Sequence, residues 1–216
     1  LLALCLAAAI PIAAAQAESA VPFELSQKFV TEHKVKSLVG PSVQVDEQGQ
    51  VSLAWMEEEK DVRSVLYARS AEAGGPMGVP VRINRPEDVP YWRQEAPALV
   101  VQGEDGFFTW GLAHPKATPQ QPFATELRLS RSIDGGKTFQ PSVAVNDDPG
   151  VIQHTFDALH RDADGRLHLS WIDGREGKKE PGTYVARSLD RGATITRNLK
   201  VDEGTCVCCR TAVTSG

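Results

Sequence analysis

This chain has few aromatic residues, few methionines and no excess of positive charge. Its 216 residues include 2 methionines, 6% aromatics and 4 cysteines, and its formal net charge is −5. A chain without a basic balance lacks the electrostatic footprint of a nucleic-acid binder. No long stretch has helical periodicity, which argues against a helical bundle or a βαβ array. There is no Gly-rich phosphate loop, no H-E-x-x-H motif and no Ser-His-Asp arrangement. With 18 glycines and 14 prolines, the composition is that of a turn-rich globular chain.

One long apolar run is present, at the start. Residues 1–17 are almost wholly apolar and end in Ala15-Gln16-Ala17. That pattern reads as a secretory signal peptide, and the run is too short and Ala-rich for a membrane span. Export to the periplasm or the medium is therefore expected, with no membrane span after cleavage. Cys5 would leave with the signal. Residues 18–40 read as a lead-in segment.

The rest repeats. Val51-Ser52-Leu53-Ala54-Trp55, Gly106-Phe107-Phe108-Thr109-Trp110 and Leu167-His168-Leu169-Ser170-Trp171 each end in Trp. Each follows an acidic-glycine turn. Downstream, three segments end in Arg-Ser, at Arg69-Ser70, Arg131-Ser132 and Arg187-Ser188. A unit of about sixty residues with four short alternating strands is a propeller blade. Strands are expected near 41–46, 50–56, 64–70 and 79–83, then 97–102, 106–112, 125–131 and 139–145, then 156–161, 166–172, 183–188 and 195–201. Blades thus cover 41–83, 97–145 and 156–201, with the start of a fourth at 210–216. Three blades cannot close a ring, so this sequence is expected to be part of a longer protein.

After two of the Arg-Ser pairs comes a distinctive turn. Ser132-Ile133-Asp134-Gly135-Gly136-Lys137-Thr138-Phe139 has the form S-x-D-x-G-x-T-aromatic, and Ser188-Leu189-Asp190-Arg191-Gly192-Ala193-Thr194-Ile195 repeats it with Ile last. The glycines permit positive φ, and the Ser and Asp side chains can bond nearby amides. This pattern resembles the Asp box (BNR repeat) of the sialidase-like β-propellers. The resemblance covers about residues 40–201. It implies an all-β propeller, usually six-bladed, of which this chain would be the N-terminal half, in an exo-α-sialidase-like bacterial exported protein. It also implies that Ser132, Asp134, Gly136, Thr138, Ser188, Asp190 and Gly192 are structural, on the face away from any active site.

The opposite face would carry the longer loops and the crossings between blades. The crossings supply Tyr91, Trp92, Arg93, Gln94, His154, Asp157 and the run Cys206-Val207-Cys208-Cys209-Arg210. The second-to-third strand loops supply Glu57, Glu58, Glu59, His114, Asp173 and Arg175. Gln94, His154 and Cys208 each lie four residues before an alanine, which would make them equivalent channel-side positions. Thiolates suit copper or zinc. On an extended segment Cys206 and Cys208 point the same way, and register adds His154 to Cys206, Cys208 and Cys209 as a fourth candidate ligand. A disulfide is the competing reading, because exported cysteines usually pair.

The sialidase resemblance implies a clamp of three arginines, a Tyr nucleophile with a Glu base, and an Asp acid–base, much of it in later blades. Arg93, Arg175 and Arg210 can reach the channel here, with Asp157 or Asp173 as an acid. The nearest approach to the family's Arg-Ile-Pro motif is Arg82-Ile83-Asn84, which lacks the proline. Three functions stay open: a non-catalytic binder of a glycan or other small ligand with a metal at the cysteines, a sialidase-type hydrolase, and a partner-binding propeller with a disulfide staple.

Overall fold

The structure, a computed structural model, describes residues 37–91, 95–177, 181–206 and 208–215. The signal-peptide reading of 1–17, most of the lead-in segment, and Trp92, Arg93 and Gln94 lie outside them.

Twelve strands form three four-stranded antiparallel sheets, each in sequence order. The first holds β1 (Ser37–Val45), β2 (Val51–Glu59), β3 (Val62–Arg69) and β4 (Val81–Arg82). The second holds β5 (Ala98–Gln102), β6 (Asp105–Ala113), β7 (Thr125–Ser132) and β8 (Val143–Ala144). The third holds β9 (His154–Arg161), β10 (Leu167–Asp173), β11 (Gly182–Ser188) and β12 (Leu199–Asp202). These are three propeller blades. The described residues include no helix, so none is long and apolar enough to cross a membrane.

Several elements differ from expectation, three of them for clear local reasons. The fourth strands of the first two blades shrink to two residues, because Pro80 and Pro141 carry no N–H to extend the ladder. In the first blade the expected β2–β3 loop is a two-residue hairpin turn. Lys60 and Asp61 both have positive φ (49° and 65°), the backbone that matches strand twist in tight hairpins. Glu57, Glu58 and Glu59 consequently belong to β2 and not to a loop, and Glu58 is paired with Arg63 at 2.9 Å.

Apolar side chains are buried between blades. Ala54, Met56, Val65 and Tyr67 of the first blade pack with Val101, Phe108 and Trp110 of the second. Phe107, Leu127 and Leu129 of the second pack with Leu167, Leu169 and Trp171 of the third. The turns after β7 and β11 hold these interfaces. In each, the Ser hydroxyl accepts from the Gly amide (Gly136 N to Ser132 Oγ, 2.9 Å; Gly192 N to Ser188 Oγ, 2.8 Å). The Asp then accepts from the Thr hydroxyl at 2.6 Å in both, Thr138 to Asp134 and Thr194 to Asp190. These bonds hold the Asp134 and Asp190 carboxyls down to about 2. Gly136 lies against the ring of Tyr67, and Gly192 against Leu129 and Phe107. Tyr67 pairs across its blade with Ala54, and Leu129 pairs with Thr109. Those positions are equivalent, so each turn docks on the same spot of the preceding blade.

The described residues of 208–215 form no strand, yet they keep the inter-blade register. Thr211 N–H donates to Phe156 O at 3.1 Å, and its hydroxyl to the same oxygen at 2.7 Å. Ser170 Oγ–H donates to Thr211 Oγ1 at 3.0 Å. Asp157 meets Thr109 of the second blade in the same way. Thr211 therefore bears on the third blade as Asp157 bears on the second.

Candidate functional site

All crossings between blades enter the inner strand from one end of the sheets, and the β6–β7 and β10–β11 loops reach the same end. Three side-chain clusters and one cleft occupy this end.

The first cluster surrounds His154, which is fully buried. Its Nδ1 faces the Thr125 carbonyl at 2.5 Å, and its Nε2 faces Asp148 Oδ2 at 2.8 Å, with Asp173 Oδ2 at 3.6 Å. Both ring nitrogens face oxygen partners within the protein, so neither is open to a ligand. Arg175 closes the network. Its Nε and Nη2 donate to Asp173 at 3.0 and 2.8 Å, and its Nη1 donates to Asp147 at 2.8 Å. Trp171 Nε1–H adds a 2.9 Å bond to Asp173. Burial alone would raise the Asp148 carboxyl, but the His154 bond and charge hold it down to about 2. Asp173 and Arg175, candidates for contact with a ligand, are thus committed to each other and to His154. The donors of Asp148, His154 and Asp173 lie within 4.8 Å of one another, but every one of these side chains is already matched within the protein.

The second cluster joins the two inner strands β5 and β9. Between Ala158 and Thr155, β9 breaks its register with β10, and Phe156 sits at φ 54°. A bulge with a non-glycine residue in the left-handed region re-aims the next side chain at a cost the surroundings must offset. Here it turns Asp157 onto the Thr109 hydroxyl of the neighbouring blade, which donates to it. The Phe156 backbone amide lies near the Glu95 carboxyl and favours its charged form. Asp157 is 2% and Glu95 8% exposed. Burial first, and the Asp157 charge second, push the Glu95 carboxyl up to about 8, while Arg210 pulls it down. Burial also raises Asp157, against the Thr109 bond and the Arg210 charge. The result is a dyad that keeps a proton at neutral pH, with Arg210 as its counter-charge.

The third cluster is Cys206, Cys208 and Cys209. All three are free and exposed. The segment is a turn and not the extended run expected from its spacing. Cys209 N–H donates to Cys206 O at 3.3 Å, which folds Cys209 onto the side of the other two. All three sulfurs lie within 4.8 Å of one another. His154 belongs to the first cluster and is not among them. His154 and Cys208 keep the expected equivalence of register, each three residues before Asp157 or Thr211, but one is a buried strand residue and the other an exposed turn residue. Just beyond the trio, Thr205 N–H donates to Pro181 O at 2.9 Å. That bond ties the cysteine turn to the rim of an apolar cleft of about 420 Å³, lined by Phe123, Val151, Ile152, Ile172, Gly177 and Pro181 among others.

Sequence reasoning named Asp157, Arg210 and the cysteines as candidates, which the structure places in these clusters, and did not name Glu95 or Thr109. Glu95 directly follows the crossing residues and carries a visible signal in that position. Thr109 carries none, because its role depends on the bulge at Phe156.

No family model matches this chain, and no curated protein does. Solved structures do match. A Trypanosoma rangeli sialidase in complex with sialic acid aligns with a TM-score of 0.50 and 16% identity, over 85% of this chain and 34% of its own. The fold is that of a β-propeller, as in this sialidase. An endo-arabinase from Bacteroides thetaiotaomicron VPI-5482 aligns at a TM-score of 0.47 and 16% identity, over 71% of this chain and 57% of its own. A β-xylosidase/α-arabinofuranosidase from a compost microbial metagenome, in complex with xylotriose, aligns at 0.46 and 13%, over 74% and 58%. The chain spans about half the length of such structures.

Proposed function

We propose that this chain is part of an exported sialidase-like propeller that holds a thiophilic metal ion, copper or zinc, on its long-loop face through Cys206, Cys208 and Cys209. The observation that carries this reading is three free thiols gathered within 4.8 Å by one turn. Sulfurs bound to one metal at about 2.3 Å are themselves about 4 Å apart, so the turn presents them close to ligating geometry. In this reading the turns at Ser132–Thr138 and Ser188–Thr194 are Asp boxes that fasten each blade to the one before. Export rests on the character of residues 1–17. The test is the metal content of the protein purified without chelator, beside a Cys206/Cys208/Cys209→Ser variant. Stoichiometric metal that the variant lacks supports the reading; equal content in both refutes it.

The Glu95–Asp157 dyad favours a second reading, a glycoside hydrolase whose ligand is a glycan. A buried carboxyl pair that keeps a proton at neutral pH is the kind of pairing glycosidic cleavage uses. Hydrolysis of aryl sialosides, arabinosides and xylosides by the wild type, lost in Glu95→Gln, would establish it. No turnover on that panel would set it aside.

A further inference from the structure

We propose that the ion held by the cysteine turn is Cu(I), in a three-sulfur trigonal site open to solvent and quick to exchange with an incoming thiolate. This rests on the metal reading above and adds the ion, its coordination and its lability.

The donor set decides the ion. Among the described residues the cluster consists of three sulfurs, with no nitrogen or carboxylate oxygen in reach of all of them. Protein zinc sites of the structural kind close a tetrahedron with four side chains, and a fourth is missing from this cluster. The described imidazoles have other partners. His154 is held by Thr125 and Asp148, His160 Nε2 by Ser215 at 2.8 Å, and His168 Nε2 by Asp162 at 2.8 Å. His114 Nδ1 accepts from Lys116 N at 3.1 Å. Calcium and magnesium require oxygen ligands and find none in this cluster. A soft monovalent ion with a low coordination number is satisfied by three thiolates alone, whereas zinc here would need a water or outside ligand as its fourth.

The fold decides the lability. All three ligands come from one four-residue turn, and each side chain is exposed. A site built from separate strands would be caged; this one presents the metal at the rim of the face, where a thiol of a small molecule or partner can approach. Such a site accepts and passes on Cu(I) and does not bury it.

The experiment is an anaerobic titration of the reduced protein with Cu(I) supplied as its bathocuproine disulfonate complex. Zn(II) is titrated in parallel against a chromogenic chelator, and X-ray absorption is measured on the loaded protein. The expected result is one Cu(I) per chain with three sulfur neighbours, bound at least about a thousand-fold more tightly than Zn(II). Each single Cys→Ser variant should weaken it at least about ten-fold, and His154→Gln should leave the stoichiometry at one. Glutathione should withdraw the copper within the mixing time. Zn(II) bound as tightly as Cu(I), a nitrogen neighbour, or copper released only over hours would overturn this inference while leaving the metal reading standing. Neither ion bound by three reduced thiols would overturn both.

Discussion

Replacing Glu95 by Gln should make the protein more stable at alkaline pH and flatten its pH dependence. Glu95 is buried, and its carboxyl feels the charge of buried Asp157. Its carboxyl is raised from an ordinary 4.5 to about 8. Below 4.5 both folded and unfolded chains carry the proton, and the group costs nothing. Between 4.5 and about 8 the unfolded chain ionises Glu95 while the folded chain keeps it neutral. Stability therefore falls as pH rises, at up to about 1.4 kcal/mol per pH unit, for a total of about 5 kcal/mol by pH 8. Asp157 is raised as well and adds to the same slope. Gln has the shape of the protonated acid and carries no charge to bury. In urea unfolding at pH 5, 6.5 and 8, Glu95→Gln should match the wild type within about 1 kcal/mol at pH 5 and exceed it by several at pH 8. Equal slopes for both proteins would refute the reasoning, because they would mean that Glu95 ionises in the folded state as it does in the unfolded one.

Other consequences are equally specific. Gly136→Ala should cost about 2–4 kcal/mol, since the residue has φ 85° and a Cβ would run into the Tyr67 ring, whereas Gly192→Ala, at φ 77° with its nearest contact at 3.3 Å, should cost about half as much by chemical denaturation. His154→Ala should lose about 1–3 kcal/mol, because it takes a hydrogen-bond partner from half-buried Asp148 and buried Asp173, which keep Arg175; a drop in Tm of less than 2 °C would contradict the network. Thr109→Val should leave Asp157 without its donor and lower stability by about 1–3 kcal/mol at pH 7; an unchanged Tm would show that the bulge at Phe156 is not built for that bond.

The fold was legible because its repeat is physical. A four-stranded blade buries its apolar face only against another blade, so Trp55, Trp110 and Trp171 return at equivalent places, and the Arg-Ser and turn motifs return with them. Strand ends were less legible: Lys60 and Asp61 adopt a tight turn without glycine, and prolines shorten β4 and β8. The site was half legible. The cysteines announce themselves by rarity, but their convergence depends on a turn that residue spacing does not specify. Spacing also placed His154 with them by register, while burial committed it to Asp148 and Asp173. Glu95 and Thr109 come together only through the bulge at Phe156, which has no sequence signature.

The most direct test of the metal site is a count of reactive thiols. The purified protein is alkylated and weighed by mass spectrometry, with and without one equivalent of Cu(I). Three alkylated cysteines without metal and none with it are expected, the three being protected together. Two cysteines already joined in a disulfide, or three that remain equally reactive when copper is present, would contradict the account.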